Sequence, residues 1–150
     1  MPRKAGVHRL RLGRVSEPGR AYLITAVCAD RRAWFGNLAA GRCFVHALRE
    51  AEGDTHTLCF VVMPDHIHWL MQLQKGTVSR AVQKVKAGTS RRIRRLHGEP
   101  CPIWQPGFHD RAVRRDEDLA TIARYIVANP LRAGLVRNLR DYPLWDAVWL

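Results

Sequence analysis

The chain contains no apolar run long enough to span a bilayer, so the sequence predicts no membrane helix. Its basic N-terminal segment, MPRKAGVHRLRLGR, is not followed by the apolar core of a signal peptide. The four cysteines lie far apart and form no CxxC pair, so neither a zinc knuckle nor a disulfide framework is predicted. Together these absences indicate a cytoplasmic protein without membrane association.

Internal repeats and low-complexity segments are also missing, and 150 residues suffice for one hydrophobic core. We therefore predict a single domain over residues 1–150, with a basic arm at 1–19 and a tail at 138–150 that lies across the domain.

Acidic residues are scarce, with 13 Asp and Glu against 25 Lys and Arg, which gives a net charge of +12. Residues 1–20 hold six Lys/Arg and one acid, whereas residues 75–115 hold eleven and two. The remainder holds eight basic and ten acidic residues, so +5 and +9 come from two segments and −2 from everything else. Such clustering indicates a polyanionic partner, most often nucleic acid. A membrane surface is less favoured because neither cluster is combined with bulky aromatic residues.

Hydrophobic periodicity predicts strands and helices in the order β-α-β-β-α-β-α. The expected strands cover 21–29, 56–63, 66–73 and 108–114. The expected helices run from 38 to 52 after the N-cap Asn37, from Gly76-Thr77 to about Leu96, and onward from the acids at 116–118. This order is that of an α+β, ferredoxin-like (RRM-like) antiparallel sheet with helices on one face, plus an added C-terminal helix that carries Tyr125.

The histidines of the segment MPDHIHWL, His66 and His68, are two residues apart in an apolar strand and should point to the same side. A single histidine in such a strand would most simply be a hydrogen-bonded core residue that binds no metal. A pair in this arrangement favours a shared cation, which satisfies a nitrogen of each ring.

In the last helix, helical spacing places Tyr125 away from the apolar stripe, with Asn129 one turn later on the same side. Pro130 then removes a backbone donor and should loosen or end the helix.

These residues resemble a known family, the HUH single-tyrosine transposases, and in particular its REP-associated branch. MPDHIHWL looks like the family's HUH strand, WQPGFHDRAVR resembles the segment before the last helix, and YIVANPLRAGLV is similar to the tyrosine-bearing helix and turn. The resemblance implies that His66 and His68 bind a metal, that Tyr125 is the nucleophile, and that Asn129 is the third protein ligand. Asn129 departs from related enzymes, where this position is often Gln.

By the family's mechanism, the chain would nick and rejoin single-stranded DNA at hairpin-flanked sites through a 5′-phosphotyrosine. Neutral protein ligands suit Mg²⁺ or Mn²⁺, and imidazole favours Mn²⁺. Single-stranded DNA or DNA hairpins are the expected partners, and the chain would act as a monomer or a homodimer. Two rivals stay open: a catalytically inactive ferredoxin-like nucleic-acid-binding regulator, and a metal-dependent phosphodiesterase that uses water.

Basic residues on the polar face of the 76–96 helix, together with two near the fourth strand, are predicted to contact DNA. They are Arg80, Lys84, Arg91, Arg94, Arg95, Arg111 and Arg114. An ordinary solvated face is the alternative for the helix, although the near absence of acids favours DNA. Trp104 either stacks on a base or is buried under its loop, and His109 is either structural or close to the site. His97 is expected to cap the C-terminus of its helix.

Overall fold

The protein was analysed as a computed structural model, which describes residues 16–98 and 100–149. Most of the basic arm, residues 1–15, lies outside the described residues. Five strands form one sheet in the order β4-β1-β3-β2-β5, and each pair of neighbours is antiparallel. The first four strands have the ferredoxin-like arrangement that the element order predicts. The strands are β1 Ala21–Val27, β2 Thr55–Met63, β3 His66–Leu73, β4 His109–Ala112 and β5 Trp145–Ala147.

Four α-helices accompany the sheet: α1 Leu38–Glu50, α2 Val78–His97, α3 Leu119–Val127 and the short α4 Asn129–Arg132. Three 3-10 turns lie at Ala29–Arg31, Trp34–Gly36 and Leu139–Asp141. Polar side chains satisfy the first backbone N–H groups of the long helices. The side chain of Asn37 accepts from Ala39 N and Ala40 N, that of Thr77 accepts from Arg80 N, and that of Asp118 accepts from Ala120 N. No helix in these two ranges is long and apolar enough to cross a membrane.

Strand β3 lies at the centre of the sheet, and its alternating side chains enter two separate cores. Ile67, Trp69 and Met71 join the larger core beneath α1 and α2. Leu70 joins the smaller core beneath α3, to which Ala123, Ile126 and Val127 contribute. His66 and His68 share the parity of Leu70, so both histidines lie on the α3 side of the sheet.

The structure differs from the sequence-based expectations in the tail and shortens two of the predicted strands. The helical spacing of the apolar residues in α2 would also place Leu96 inward, but it is 57% exposed because the last turn of α2 extends past the core. The tail does not simply lie across the domain: residues 145–147 add β5 to the edge of the sheet beside β2. Strand β1 ends at Val27 instead of 29, and β4 covers 109–112 instead of 108–114.

The loop before β4 is fixed to α2 by several hydrogen bonds. Lys86 Nζ donates to Gln105 O at 2.9 Å and to Gly107 O at 2.7 Å, and Trp104 Nε1 donates to Lys86 O at 3.0 Å. The Trp104 ring also contacts Phe35 and Phe44. Of the two readings of Trp104, these contacts favour a packing role.

Candidate active site

The two histidines of β3 follow the tight turn at Pro64 and Asp65, which joins β2 to β3 as a hairpin. Their ring centroids are 5.0 Å apart and the ring planes are at 81°. The structure therefore brings together the pair of imidazoles that the sequence places on one side of a strand. A strand in the middle of a sheet holds such a pair rigidly.

Each histidine is oriented through its Nδ1 atom. His66 Nδ1 lies 2.7 Å from Asp65 Oδ1, and His68 Nδ1 lies 3.0 Å from Thr25 Oγ1 on β1. A carboxylate only accepts, so His66 Nδ1 is the donor in the first bond. Among the residues that the structure describes, neither Nε2 atom has a hydrogen-bond partner. Both Nε2 atoms are therefore available to a common ligand.

The charges around the pair favour neutral imidazole at His68. Burial, followed by the nearby charges of His66 and Arg132, lowers the pKa of His68 to about 4. The pKa of Asp65 is also lowered: burial opposes ionisation, but hydrogen bonds from His66 and Arg31 outweigh it. Arg31 Nη1 donates to Asp65 Oδ2 at 3.1 Å. A neutral His68 keeps a lone pair for a cation at physiological pH.

Helix α3 positions the tyrosine by burying its neighbours. Ile126 and Val127 are buried in the smaller core, whereas Tyr125 is 67% exposed, as its place outside the apolar stripe predicts. Each buried aliphatic side chain stabilises this docking by about 1.5–3 kcal/mol. The guanidinium carbon of Arg132 lies 3.8 Å from the centroid of the Tyr125 ring. The phenol is thus on a well-anchored helix yet accessible to a large substrate.

The amide of Asn129 compensates for the donor that Pro130 lacks. A residue other than proline at position 130 would donate its N–H to Ile126 O in a regular helix. Here Asn129 Nδ2 donates to Ile126 O at 2.8 Å. This bond fixes the amide plane and leaves Asn129 Oδ1, the atom that binds cations, as an acceptor.

Among the residues that the structure describes, the histidine pair is not part of a larger cluster of typical metal ligands. Within the described ranges, no group of three or more His, Cys, Asp and Glu side chains could hold a metal ion. Burial raises the pKa of both Cys28 and Cys59 to about 12, so these thiols stay protonated. The two imidazoles are therefore the metal-binding side chains that the structure brings together at this point.

The predicted DNA-binding residues fall on two sides of the sheet. Five of the predicted DNA-binding residues lie on α2, and all five are exposed: Arg80, Lys84, Arg91, Arg94 and Arg95. Helix α2, however, packs on the sheet face opposite His66 and His68. Lys84 Nζ lies 3.7 Å from Asp54 Oδ2, and Arg94 Nε donates to Cys101 O at 3.3 Å. The helix thus presents a basic surface that is remote from the candidate active site.

Strand β4 brings Arg111 and His109 to the same sheet face as the histidine pair. Thr25 is paired with both His68 and His109, and Leu23 with both Leu70 and Arg111. Directly opposed residues in antiparallel strands project to one side. Arg111 Nη1 contacts both carboxylate oxygens of Glu117, at 3.1 and 3.0 Å, so its charge is largely compensated.

Arg114, the last of the predicted contacts, is exposed, and its Nε is 3.4 Å from Asp116 Oδ1. His97 is the last residue of α2, which ends at Gly98 with a φ of 71°, and its ring meets Trp34 edge-on at 5.3 Å. Packing thus accounts for His97.

The sequence reasoning missed the residues that orient the site: Thr25, Arg31, Asp65 and Arg132. Asp65 precedes His66 in the chain, and metal-binding histidines commonly bond a carboxylate through their second nitrogen, so this partner was predictable from the sequence. Thr25 and Arg31 are 43 and 34 residues from their partners, so only the folded chain reveals these contacts. Arg132 follows Tyr125 by two helical turns, but the proline between them obscures that spacing.

Comparison with known proteins agrees with this geometry. The family model described as "Transposase IS200 like" matches residues 20–129. A protein of Haemophilus influenzae assigned as a REP-associated tyrosine transposase is 28% identical over 143 residues, covering 83% of this chain and 78% of the relative. The REP-associated tyrosine transposase of Escherichia coli K12 is 30% identical over 87 residues, covering 56% of this chain and 49% of the relative.

Two solved structures share the fold. A REP-associated tyrosine transposase bound to a REP hairpin has a TM-score of 0.71 and 25% identity, over 88% of this chain and 79% of that one. A protein of Deinococcus radiodurans assigned as a transposase has a TM-score of 0.54 and 17% identity, over 76% and 92%, and this likeness shows the fold alone.

The chain therefore belongs to the IS200-like transposase family. Within that family it is of the REP-associated tyrosine transposase type.

Proposed function

We propose that this transposase nicks and rejoins single-stranded DNA at hairpin-flanked sites through a 5′-phosphotyrosine at Tyr125. The observation that carries the proposal is the combination of two adjacent imidazoles, 5.0 Å apart, and an exposed phenol on the helix that packs on the same side of the sheet. Both Nδ1 atoms are already bonded, and the tyrosine helix packs against the same face that carries His66 and His68.

The metal ligands in this proposal are His66 Nε2, His68 Nε2 and Asn129 Oδ1. The donor set fits a divalent ion of the Mg²⁺ or Mn²⁺ type, because it is neutral and leaves the ion its full charge for phosphate oxygens. When bound, such an ion would polarise the scissile phosphate and offset the negative charge that develops on it. Imidazole ligands favour Mn²⁺ over Mg²⁺.

The chemical step exchanges one phosphodiester bond for another. The phenol oxygen of Tyr125 forms a bond to phosphorus and gives up its proton to solvent. The bond between phosphorus and the 3′ oxygen breaks, and that oxygen takes up a proton to become a free 3′-OH. A second 3′-OH can reverse the exchange and join strands, so no nucleotide cofactor is required.

Hairpin DNA is the proposed substrate because the relative of known structure was captured on a REP hairpin. The basic α2 surface would hold the duplex backbone through phosphate contacts, which carry little sequence information. A cytoplasmic location belongs to the same proposal, since the chromosomal DNA that it would cut is there.

Tyr125→Phe is the decisive test. The variant should fold normally, because Tyr125 is mostly exposed and only its oxygen is removed. Incubation with Mn²⁺ and an oligonucleotide that carries a hairpin and its flanks should give wild-type nicking and a covalent protein–DNA adduct that maps to Tyr125. The variant should show neither product, while its DNA affinity stays close to that of the wild type.

Tyr142→Phe is the matched control, because the Tyr142 hydroxyl donates to Val62 O within the fold and its adduct should persist. His66→Ala or excess EDTA should abolish cleavage and leave binding within a few-fold. Nicking by Tyr125→Phe at a wild-type rate would indicate a water-dependent phosphodiesterase. Tight binding without cleavage by the wild type would indicate a regulator.

A further inference from the structure

Arg132 lies on the last turn of α4 and is held there by the continuing helix. Its backbone N–H donates to Ala128 O at 3.1 Å, and that of Ala133 donates to Asn129 O at 2.9 Å. The side chain turns back over α3, where its guanidinium carbon sits 3.8 Å from the Tyr125 ring centroid. This distance is typical of a guanidinium stacked on an aromatic ring.

The helix that this side chain covers packs on the sheet face that carries His66 and His68. One cation therefore contacts the proposed nucleophile on the side of the sheet where the proposed metal ligands lie. No sequence motif assigns a role to this position.

Packing on the Tyr125 ring would not by itself require a positive charge. The group that the Tyr125 oxygen would attack is a phosphate anion, and a guanidinium 3.8 Å from the ring centroid is positioned to contact that anion.

We propose that Arg132 is a catalytic residue that stacks on Tyr125 through its guanidinium face and donates through its edge to a non-bridging oxygen of the scissile phosphate. A guanidinium is planar and carries all of its N–H donors in that plane, so stacking leaves the donors available. The contact would orient the phenol for attack and would persist in the phosphotyrosine. This inference rests on the proposed function and extends it to the group that binds the phosphate.

The experiment uses the full chain and measures two quantities for each variant of Arg132. The first is the single-turnover rate of adduct formation on a hairpin oligonucleotide at saturating Mn²⁺. The second is the affinity for Mn²⁺ without DNA, measured by electron paramagnetic resonance. Arg132→Gln and Arg132→Ala should lower the rate by about 100-fold or more, as the loss of a preorganised donor typically does.

The affinity for Mn²⁺ in Arg132→Gln should stay near that of the wild type, because Arg132 is not one of the proposed metal ligands. A merely structural role would instead weaken metal binding and catalysis together. Arg132→Lys keeps the charge but loses the planar fork, so its rate should fall between those of the wild type and Arg132→Gln. Added guanidinium ion should partly restore the rate of Arg132→Ala.

Arg124→Gln is the matched control. It removes one positive charge from the residue next to Tyr125, but Arg124 Nη2 donates back to Thr121 Oγ1 at 3.1 Å. Its rate should stay within about three-fold of the wild type, well short of the effect expected when a transition-state donor is removed. Wild-type rates in Arg132→Ala, or a parallel loss of rate and Mn²⁺ affinity without guanidinium rescue, would overturn the inference alone. If the wild type forms no adduct at Tyr125, the proposed function fails and the inference fails with it.

Discussion

At the scale of single residues, the histidine pair depends on neighbours that use up one nitrogen of each ring. Asp65 holds His66 at 2.7 Å and is itself held by Arg31, while Thr25 holds His68 at 3.0 Å. Such partners fix the ring orientation and tautomer of a metal-binding histidine. The two partners differ in charge, so the two rings are not electrostatically equivalent: His66 faces a carboxylate and His68 faces a hydroxyl.

The lowered pKa of His68 predicts a pH-dependent stability of the metal-free protein. In the unfolded chain the pKa of a histidine is about 6.5, whereas burial brings that of folded His68 to about 4. Between these values the unfolded state binds more protons, so this contribution is complete above pH 6.5 and is lost as the pH falls towards 4. Going from pH 7 to pH 5 should lower the free energy of unfolding by at most about 2 kcal/mol through this group.

Urea denaturation in EDTA at both pH values measures this loss. His68→Asn should lose less stability between pH 7 and pH 5 than the wild type, by that amount. His46→Asn replaces an exposed histidine on α1, away from the site, and should keep the wild-type difference. Equal pH dependence in His68→Asn and the wild type would contradict the prediction.

At the scale of elements, the predicted DNA-binding surface of α2 lies apart from the candidate active site. Its Thr89 and Ile93 are buried in the larger core, while its basic residues face away from the core, on the side of the sheet opposite Tyr125. A DNA hairpin bound to this surface would have to extend around the β-sheet to place single-stranded DNA in the active site. The two functions should therefore be separable by mutation.

Replacing Arg80, Lys84, Arg91 and Arg95 by Gln should weaken hairpin binding and flatten its salt dependence. Removing one cation from a DNA phosphate should reduce the slope of log affinity against log salt by about 0.7 to 0.9. Nicking at saturating DNA should stay near the wild-type rate, because these side chains are remote from the histidines.

The double variant Arg42→Gln/Arg49→Gln tests whether any loss of positive charge flattens the salt dependence of DNA binding. Both residues are exposed on α1, the neighbouring helix. That double variant should keep the wild-type slope. An unchanged slope in the α2 variant would make its basic surface an ordinary solvated face.

Periodicity predicted the elements that bury a regular stripe and missed those that depend on a neighbour. The alternation in 66–73 and the stripe Leu119, Ile122, Ala123, Ile126 and Val127 sufficed to predict β3 and α3. Strand β5 has three residues, too few to show a period, and exists because it pairs with β2. Leu96 follows the stripe of α2, but the core ends one turn earlier. The candidate site residues His66, His68, Tyr125 and Asn129 follow local patterns, and their roles stay predictions. Thr25 reaches His68 only through the register of β1 and β3, and Arg31 reaches Asp65 from the 3-10 turn after β1.

At the scale of the whole molecule, two helical layers enclose one sheet, and the tyrosine helix belongs to its own chain's core. Ala123, Ile126 and Val127 of α3 pack with Val61 of β2 and Leu70 of β3. Arg132 contacts Tyr125 within the same chain. This packing predicts that each chain completes its own active site, whether it acts as a monomer or a homodimer.

Complementation between two inactive variants tests this arrangement. His66→Ala keeps Tyr125 but lacks a metal ligand, and Tyr125→Phe keeps the metal ligands but lacks the nucleophile. If the tyrosine serves its own chain, an equimolar mixture should form no adduct beyond that of either variant alone, because no chain holds both halves of the site. Exchange of tyrosine helices between chains would instead restore adduct formation, to about a quarter of the wild-type level if one site per dimer is rebuilt in half of the dimers.

The mixture should be unfolded and refolded together before the assay, so that slow exchange of subunits does not conceal a shared site. A wild-type sample carried through the same refolding sets the scale, and adduct formation by the mixture near that quarter would show that the tyrosine acts in the partner's site.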